Sequence, residues 1–224
     1  MKAETFTKIR PIFGGSLTQP QVDGIETIVG AWAKYGDGSN RHLAYLLATT
    51  KHETANTMQP IFERGQRSYF DKYEPGTKIG KALGNVKPGD GYLYRGRGYV
   101  QLTGRANYVR AGKLLGIDLA GNPDLALEPS TAARILILGC LEGWFTGKAL
   151  GDYMTYKDMR RVVNGTDKAD LIAGYAQQFE NALGTEAVKP APQPLPPDVP
   201  KLPPVVTPVR SNWLKSFFAS IFSR

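Results

Sequence analysis

Nine of the sixteen prolines in this 224-residue chain fall between Pro190 and Pro208. Proline fixes φ and removes a backbone donor, so such a stretch forms neither a helix interior nor a central strand. It is expected to run extended, as a polyproline-type spacer. The chain therefore divides into a body at 1–184, a linker at 185–210 and a short tip at 211–224. A body of that length suits one domain with its own core. At ~100° per residue, Trp213, Leu214, Phe217, Phe218, Ile221 and Phe222 fall within one half of a helix, so the tip is expected to be amphipathic. Its aromatic bulk and flanking cations suit a membrane surface or a partner protein, and it is too short to span a bilayer.

Charge and cysteine usage narrow the classes further. There are 28 Lys and Arg against 20 Asp and Glu, a net +8, which favours an anionic partner. A single cysteine, Cys140, excludes an internal disulfide and a cysteine-based zinc framework. With only His42 and His52, a histidine metal cluster is not expected, and no cofactor motif is present. The first fifteen residues are charged throughout and lack the apolar core of a secretory signal.

Within the body the apolar period is helical. Thr18 is placed to cap a helix with Pro20 in its first turn and Val22, Ile25, Val29 and Trp32 on one face. A second helix is expected to start at Ser39 or Asn40 and run towards His52 and Glu53, and a third spans Gly104 to Leu115. Ser130 is expected to cap a fourth, apolar nearly all round and so central. Thr155 with Asp158, and Asp167 with Asp170, read as capping boxes before the last helices. Only Tyr92 to Leu102 has the composition of short strands. The expected class is mainly α, with at most a very small sheet.

The chemistry concentrates between His52 and Asn107. Glu53 ends an apolar helix, and Glu63 follows in the next loop beside Arg64 and Gly65. Two carboxylates so presented are what glycosidic cleavage requires: one kept protonated as acid, the other ionised to activate water or attack. An arbitrary glutamate pair at this spacing is more often two solvated surface charges. The segment Tyr94-Arg95-Gly96-Arg97-Gly98-Tyr99-Val100-Gln101-Leu102-Thr103-Gly104-Arg105-Ala106-Asn107-Tyr108 adds polar side chains suited to sugar hydroxyl and acetamido groups. Its interleaved Arg, Gly and Tyr fit an RNA-binding loop equally well, and composition does not separate the two.

These pieces, with His52-Glu53-Thr54, Glu63-Arg64-Gly65, Asn122-Pro123-Asp124-Leu125 and Val163-Asn164-Gly165, occur in the order found in glycoside hydrolase family 19. The chain resembles that chitinase-like family, which includes many phage endolysins, over residues 40–183. The resemblance implies a lysozyme-like helical domain, Glu53 as general acid and Glu63 as general base. It implies inversion at the anomeric carbon, with the carboxyls roughly 6.5–9.5 Å apart to admit a water. Gln101, Thr103, Asn107, Asn164 and Tyr94 then bind sugar or position that water, Arg97 braces the loop and His52 is structural. Two positions depart from the family: Asp170-Leu171 stands where many phage members carry Asp-Arg, and Cys140 to Phe145 replaces an aromatic run.

The basic balance, the lone cysteine and the lack of a signal lead to an expected peptidoglycan hydrolase, a phage-encoded endolysin or virion lysin. Its partners are expected to be bacterial glycan strands, with membrane-surface or virion contact through Trp213, Phe217, Phe218, Ile221 and Phe222, and no nucleic acid. It is expected in the host cytoplasm before release to the wall, or in the virion. The alternatives are a chitinase on N-acetylglucosamine polymers and a non-catalytic wall-binding module.

Overall fold

Two helices, α3 (Asn40–Glu53) and α7 (Pro129–Leu141), are buried around most of their circumference, and the rest of the body packs about them. The computed structural model describes residues 1–184. The expected linker at 185–210 and amphipathic helix at 211–224 lie outside the described residues. In chain order the other elements are α1 (Ala3–Ile9), α2 (Gln19–Tyr35), β1 (Ile61–Phe62), α4 (Lys78–Ala82), α5 (Asp90–Leu93), β2 (Arg97–Gly98), α6 (Arg105–Leu115), α8 (Tyr156–Met159), α9 (Arg161–Asn164) and α10 (Ala169–Leu183). Short 3₁₀ segments at Arg10–Phe13, Arg67–Tyr73, Pro123–Leu127 and Leu150–Asp152 connect them. The fold is mainly α with a two-stranded, unclosed sheet. No described helix is long and apolar enough to cross a membrane.

Local chemistry sets the helix starts. Thr18 forms a reciprocal capping box with Gln21, and Pro20 sits in the first turn of α2. The buried stripe of α2 is Gly24, Ile25, Ile28 and Trp32, rotated slightly from the expected one, because Val22 and Val29 lie at its margins. Ser39 caps α3 by accepting the His42 amide. α7 starts at Pro129, one residue before the expected Ser130 cap, since proline suits a first helical position whose N–H has no partner anyway. The expected Asp167–Asp170 box does not form. Lys168 takes the left-handed conformation at the start of α10, and the Asp167 carbonyl accepts from Arg160 Nε at 2.9 Å.

The most extensive packing is α10 against α3, followed by α2 against α7. α10 turns Ala169, Ile172, Ala176, Phe179 and Ala182 inward, and its alanines let the two axes approach closely. At the far end of this pair, Asn40 Nδ2 donates to the Gly184 carbonyl at 2.9 Å, fastening the start of α3 to the end of α10.

After Glu53 the chain reverses through three non-glycine residues with positive φ: Ala55, Asn56 and Met58. Such backbone costs of order 1–3 kcal/mol per residue and persists only where its surroundings hold it. Here Gln21 Nε2 donates to the Asn56 carbonyl (2.8 Å) and Lys51 Nζ to Asn56 Oδ1 (2.5 Å). The same ammonium sits 4.0 Å from the centre of the Tyr175 ring on α10.

β1 pairs antiparallel with β2, Ile61 opposite Gly98 and Phe62 opposite Arg97, and Arg97 also bridges to Leu102. The expected strand region thus shrinks to two residues plus a bridge, and Tyr92–Leu93 instead ends α5. Between the strands an excursion carries its own small core of Phe70, Tyr73 and Leu83. It is tied to α6 by Asp90, whose carboxylate accepts from Arg105 Nε (2.7 Å) and Nη2 (2.5 Å) and from the Val86 and Lys87 amides.

Two expectations follow. A Cβ on Gly24 would lie 1.8 Å from the Met58 carbonyl oxygen, so Gly24→Ala should lower stability by ~1–3 kcal/mol, read by urea denaturation. Burial works against a charge on Asp90, but its hydrogen bonds from Arg105 and the two amides outweigh that and draw its pKa down to about 2. Its contribution is therefore complete above its ordinary value of 3.8 and is lost as pH falls through about 2. Asp90→Asn should cost roughly 2 kcal/mol at pH 7, and the gap to wild type should close over that acid window in pH-dependent unfolding.

Candidate active site

α3 delivers Glu53 at its last residue into the interior, where the carboxylate is 3% exposed. A helix C-terminus and apolar surroundings both disfavour negative charge there. The counter-charge comes from the junction of α8 and α9: Arg160 Nη1 lies 2.9 Å from Glu53 Oε1. The contact is that of a close ion pair rather than a linear hydrogen bond. Burial opposes the charge on Arg160, but the facing Glu53 carboxylate and then the Tyr45 phenol hold its pKa above the ordinary guanidinium value. His52, adjacent in sequence, is pushed below the ordinary imidazole range by burial, against the pull of Glu53, and stays neutral.

Glu63 follows β1 and is as deeply buried, at 2% exposure. Tyr73 donates its hydroxyl to Oε1 at 3.0 Å, and the Gly96 amide donates to Oε2 at 3.2 Å. The Glu63 amide in turn donates to the Gly96 carbonyl at 2.7 Å, extending the ladder one residue beyond β1. Gly96 is required by crowding: a Cβ there would lie 2.8 Å from Gln101 Oε1 and 3.2 Å from Thr103 Oγ1.

One cleft is lined by Glu53, Gln101, Thr103, Asn107 and Asn164, with Val100, Leu102, Phe145 and Val163 as its apolar walls. The structure thus gathers five of the seven residues expected from sequence. Glu63 stands behind the Gln101 wall, linked to it through Gly96. Tyr94 is elsewhere: its ring packs on Tyr108 at 5.3 Å and its hydroxyl donates to the Ala120 carbonyl. It is buried in the scaffold behind the loop because a phenol that close to a free carbonyl satisfies both groups.

The polar side chains of the cleft are themselves anchored. Gln101, in a left-handed conformation with φ 56°, donates from Nε2 to the Ile61 and Gly98 carbonyls. Thr103 Oγ1 donates to the Gln101 carbonyl, and Asn107 Nδ2 to the Thr103 carbonyl. Arg97 braces the segment from below through Asp124, the Leu93 and Arg95 carbonyls and the Tyr108 hydroxyl. Trp32 and Trp144 are core residues. Among the described residues no group of His, Cys, Asp or Glu is arranged to hold a metal.

Arg160, Tyr73 and Phe145 were not expected from sequence. Arg160 carried little local signal, since Asp158 and Arg161 beside it make the run read as an ordinary charged surface. It also answers the departure at Asp170-Leu171. Asp170 pairs with Lys157 on the surface, Leu171 is half exposed, and charge support for Glu53 arrives from Arg160 instead.

A helical domain with a vestigial sheet and two buried carboxylates, one of them lining a polar cleft, is the architecture of a lysozyme-like glycosidase. The family profile described as chitinase class I matches residues 25–149. The chain belongs to glycoside hydrolase family 19. Chitinase 8 of Oryza sativa subsp. japonica is 37% identical over 108 residues, 48% of this chain and 36% of that protein. Endochitinase 2 of Gossypium hirsutum is 25% identical over 178 residues, 69% of this chain and 58% of that protein. The crystal structure of chitinase C from Streptomyces griseus HUT6037 superposes with a TM-score of 0.59 at 21% identity, covering 84% of this chain and 79% of that one. The chain spans less than two thirds of the length of these curated plant relatives.

These findings overturn the expectation of a lysozyme-type endolysin or virion lysin, and with it peptidoglycan strands and virion proteins as partners. The family profile and the named relatives are those of chitinases. The expectation rests on the lone cysteine, the lack of a signal and the net charge, and net charge governs solubility and long-range association and does not select a neutral sugar over an anionic one.

Removing the counter-charge leaves a buried carboxylate alone. Arg160→Met should therefore cost ~3–5 kcal/mol, and pairing it with Glu53→Leu should recover part of the loss, both read by urea denaturation.

Proposed function

We propose that the chain hydrolyses β-1,4 bonds between N-acetylglucosamine units of chitin by inverting acid–base catalysis. The observation that carries this reading is the pair of buried carboxylates, Glu53 opening into the cleft beside Arg160 and Glu63 held at both oxygens behind it. The family membership and the names of the relatives support chitin as the substrate.

In this reading Glu53, ion-paired with Arg160 at rest, takes up a proton before the bond breaks, a form that its apolar site and the C-terminal end of α3 favour and the guanidinium opposes. It gives its proton to the glycosidic oxygen as the bond to the anomeric carbon breaks. The carboxylate left behind is stabilised by Arg160, which is already in place and needs no reorganisation. Glu63 takes a proton from a water that attacks the opposite face of the sugar, so the product has inverted configuration. Gln101, Thr103, Asn107 and Asn164 orient the acetamido and hydroxyl groups along the cleft. The catalytic unit is the body at 1–184.

Glu53→Gln keeps the shape of the side chain and removes its proton. It should reduce hydrolysis of chitin oligomers by ~10²–10⁴-fold in a folded protein whose melting temperature is lowered, because Arg160 loses its counter-charge, and wild-type product should appear by NMR as the inverted anomer. Retained configuration, a near-normal rate in the variant, or hydrolysis of purified peptidoglycan without hydrolysis of chitin would each refute the reading.

A further inference from the structure

The excursion between β1 and β2 has its own core, and one polar side chain of that core reaches the catalytic wall. Tyr73 ends the 3₁₀ turn at Arg67–Tyr73, packed with Phe70 and Leu83 and only 5% exposed. Its hydroxyl is 3.0 Å from Glu63 Oε1. Its own backbone is fixed in turn: Asn85 Nδ2 donates to the Tyr73 carbonyl at 2.7 Å, while Asn85 Oδ1 accepts the Arg105 amide at the start of α6 at 2.8 Å. Lys72 Nζ lies 4.8 Å from the centre of the Tyr73 ring, a cation on the ring face. Gly80 permits the close approach, since a Cβ there would meet the Tyr73 carbonyl oxygen at 2.6 Å.

Glu63, just after a two-residue strand, has three rotatable side-chain bonds, and burial alone does not set the angle of its carboxylate. The Gly96 amide holds one oxygen but leaves the carboxylate plane free to turn about that bond. A second donor at the other oxygen removes that freedom, and a carboxylate offers roughly four lone-pair positions, so the water site is not consumed. Proton abstraction tolerates deviations of only about 10–20° from the productive orientation.

We propose, resting on the reading of Glu63 as the general base, that Tyr73 is a positioning residue for the reaction. Its hydroxyl and the Gly96 amide together fix the rotation of the Glu63 carboxylate so that an oxygen faces the attacking water. The excursion is then more than a surface decoration: its core sets the alignment of the base.

The test is a double-mutant cycle on the full chain with chitin oligomers as substrate. Tyr73→Phe, which keeps the ring, should lower kcat by ~10–100-fold and leave KM within about twofold, because the alignment matters in the transition state and not in binding. In a Glu63→Gln background the same change should alter the residual rate by less than about twofold, since its route of action is gone. Asn85→Ala releases the Tyr73 backbone while keeping its hydroxyl, and it should follow the same pattern if Tyr73→Phe does not fold. Wild-type kcat in Tyr73→Phe, or an equal loss in both backgrounds, would overturn the role given to Tyr73. A near-normal rate in Glu63→Gln alone would instead overturn the reading of the base on which it rests.

Discussion

A carboxylate and a guanidinium meet almost fully buried at the edge of the cleft, and the geometry around them is built to hold that pair. Desolvating either ion alone is costly, and their mutual attraction offsets this only when both are held closely and their remaining polar atoms are met. Glu53 is positioned by the end of α3. Arg160 is positioned by the break between α8 and α9 and by its Nε bond to the Asp167 carbonyl. α10 packs extensively on α3, the helix that carries Glu53. An insertion in any of these elements would separate the ions before it exposed the core.

Helices supply part of the cleft, Glu53 from the end of α3, Asn107 from the first turn of α6 and Val163 and Asn164 from α9. The rest comes from the irregular segment Val100 to Thr103, with Gln101 left-handed, and it is supported from behind by the turn after Glu53 and the two-residue strands. Each is held by side chains that donate to main-chain carbonyls, Gln21 and Lys51 on one side and Gln101, Asn107 and Arg97 on the other. Polar residues that look like a sugar-binding set in sequence thus have a second duty. Their amide N–H groups point into the scaffold, which restricts what they can offer a ligand.

How far the sequence reveals this depends on the range of the interaction. The caps at Thr18, Ser39 and Thr155 and the helices that follow them are encoded by neighbours, and they form where periodicity places them. Five of seven expected site residues meet in one cleft because the motifs that contain them keep family order. Tyr94 fails for want of any local sign that Ala120 would lie opposite its hydroxyl. Arg160 and Tyr73 escape for the same reason: each acts on a carboxylate that only tertiary packing brings near. Net charge is a property of the whole surface and does not report which sugar a cleft accepts.

The bond from Asn40 to Gly184 places the exit of the body at the opposite end of α3 from Glu53. A helix of 14 residues separates them by roughly 20 Å. A module fused at Gly184 therefore begins on the back of the body, where it leaves the mouth of the cleft open. The same fold can carry different appendages there without redesign of its catalytic face, which makes this end the natural point for grafting an affinity handle or an immobilisation tether.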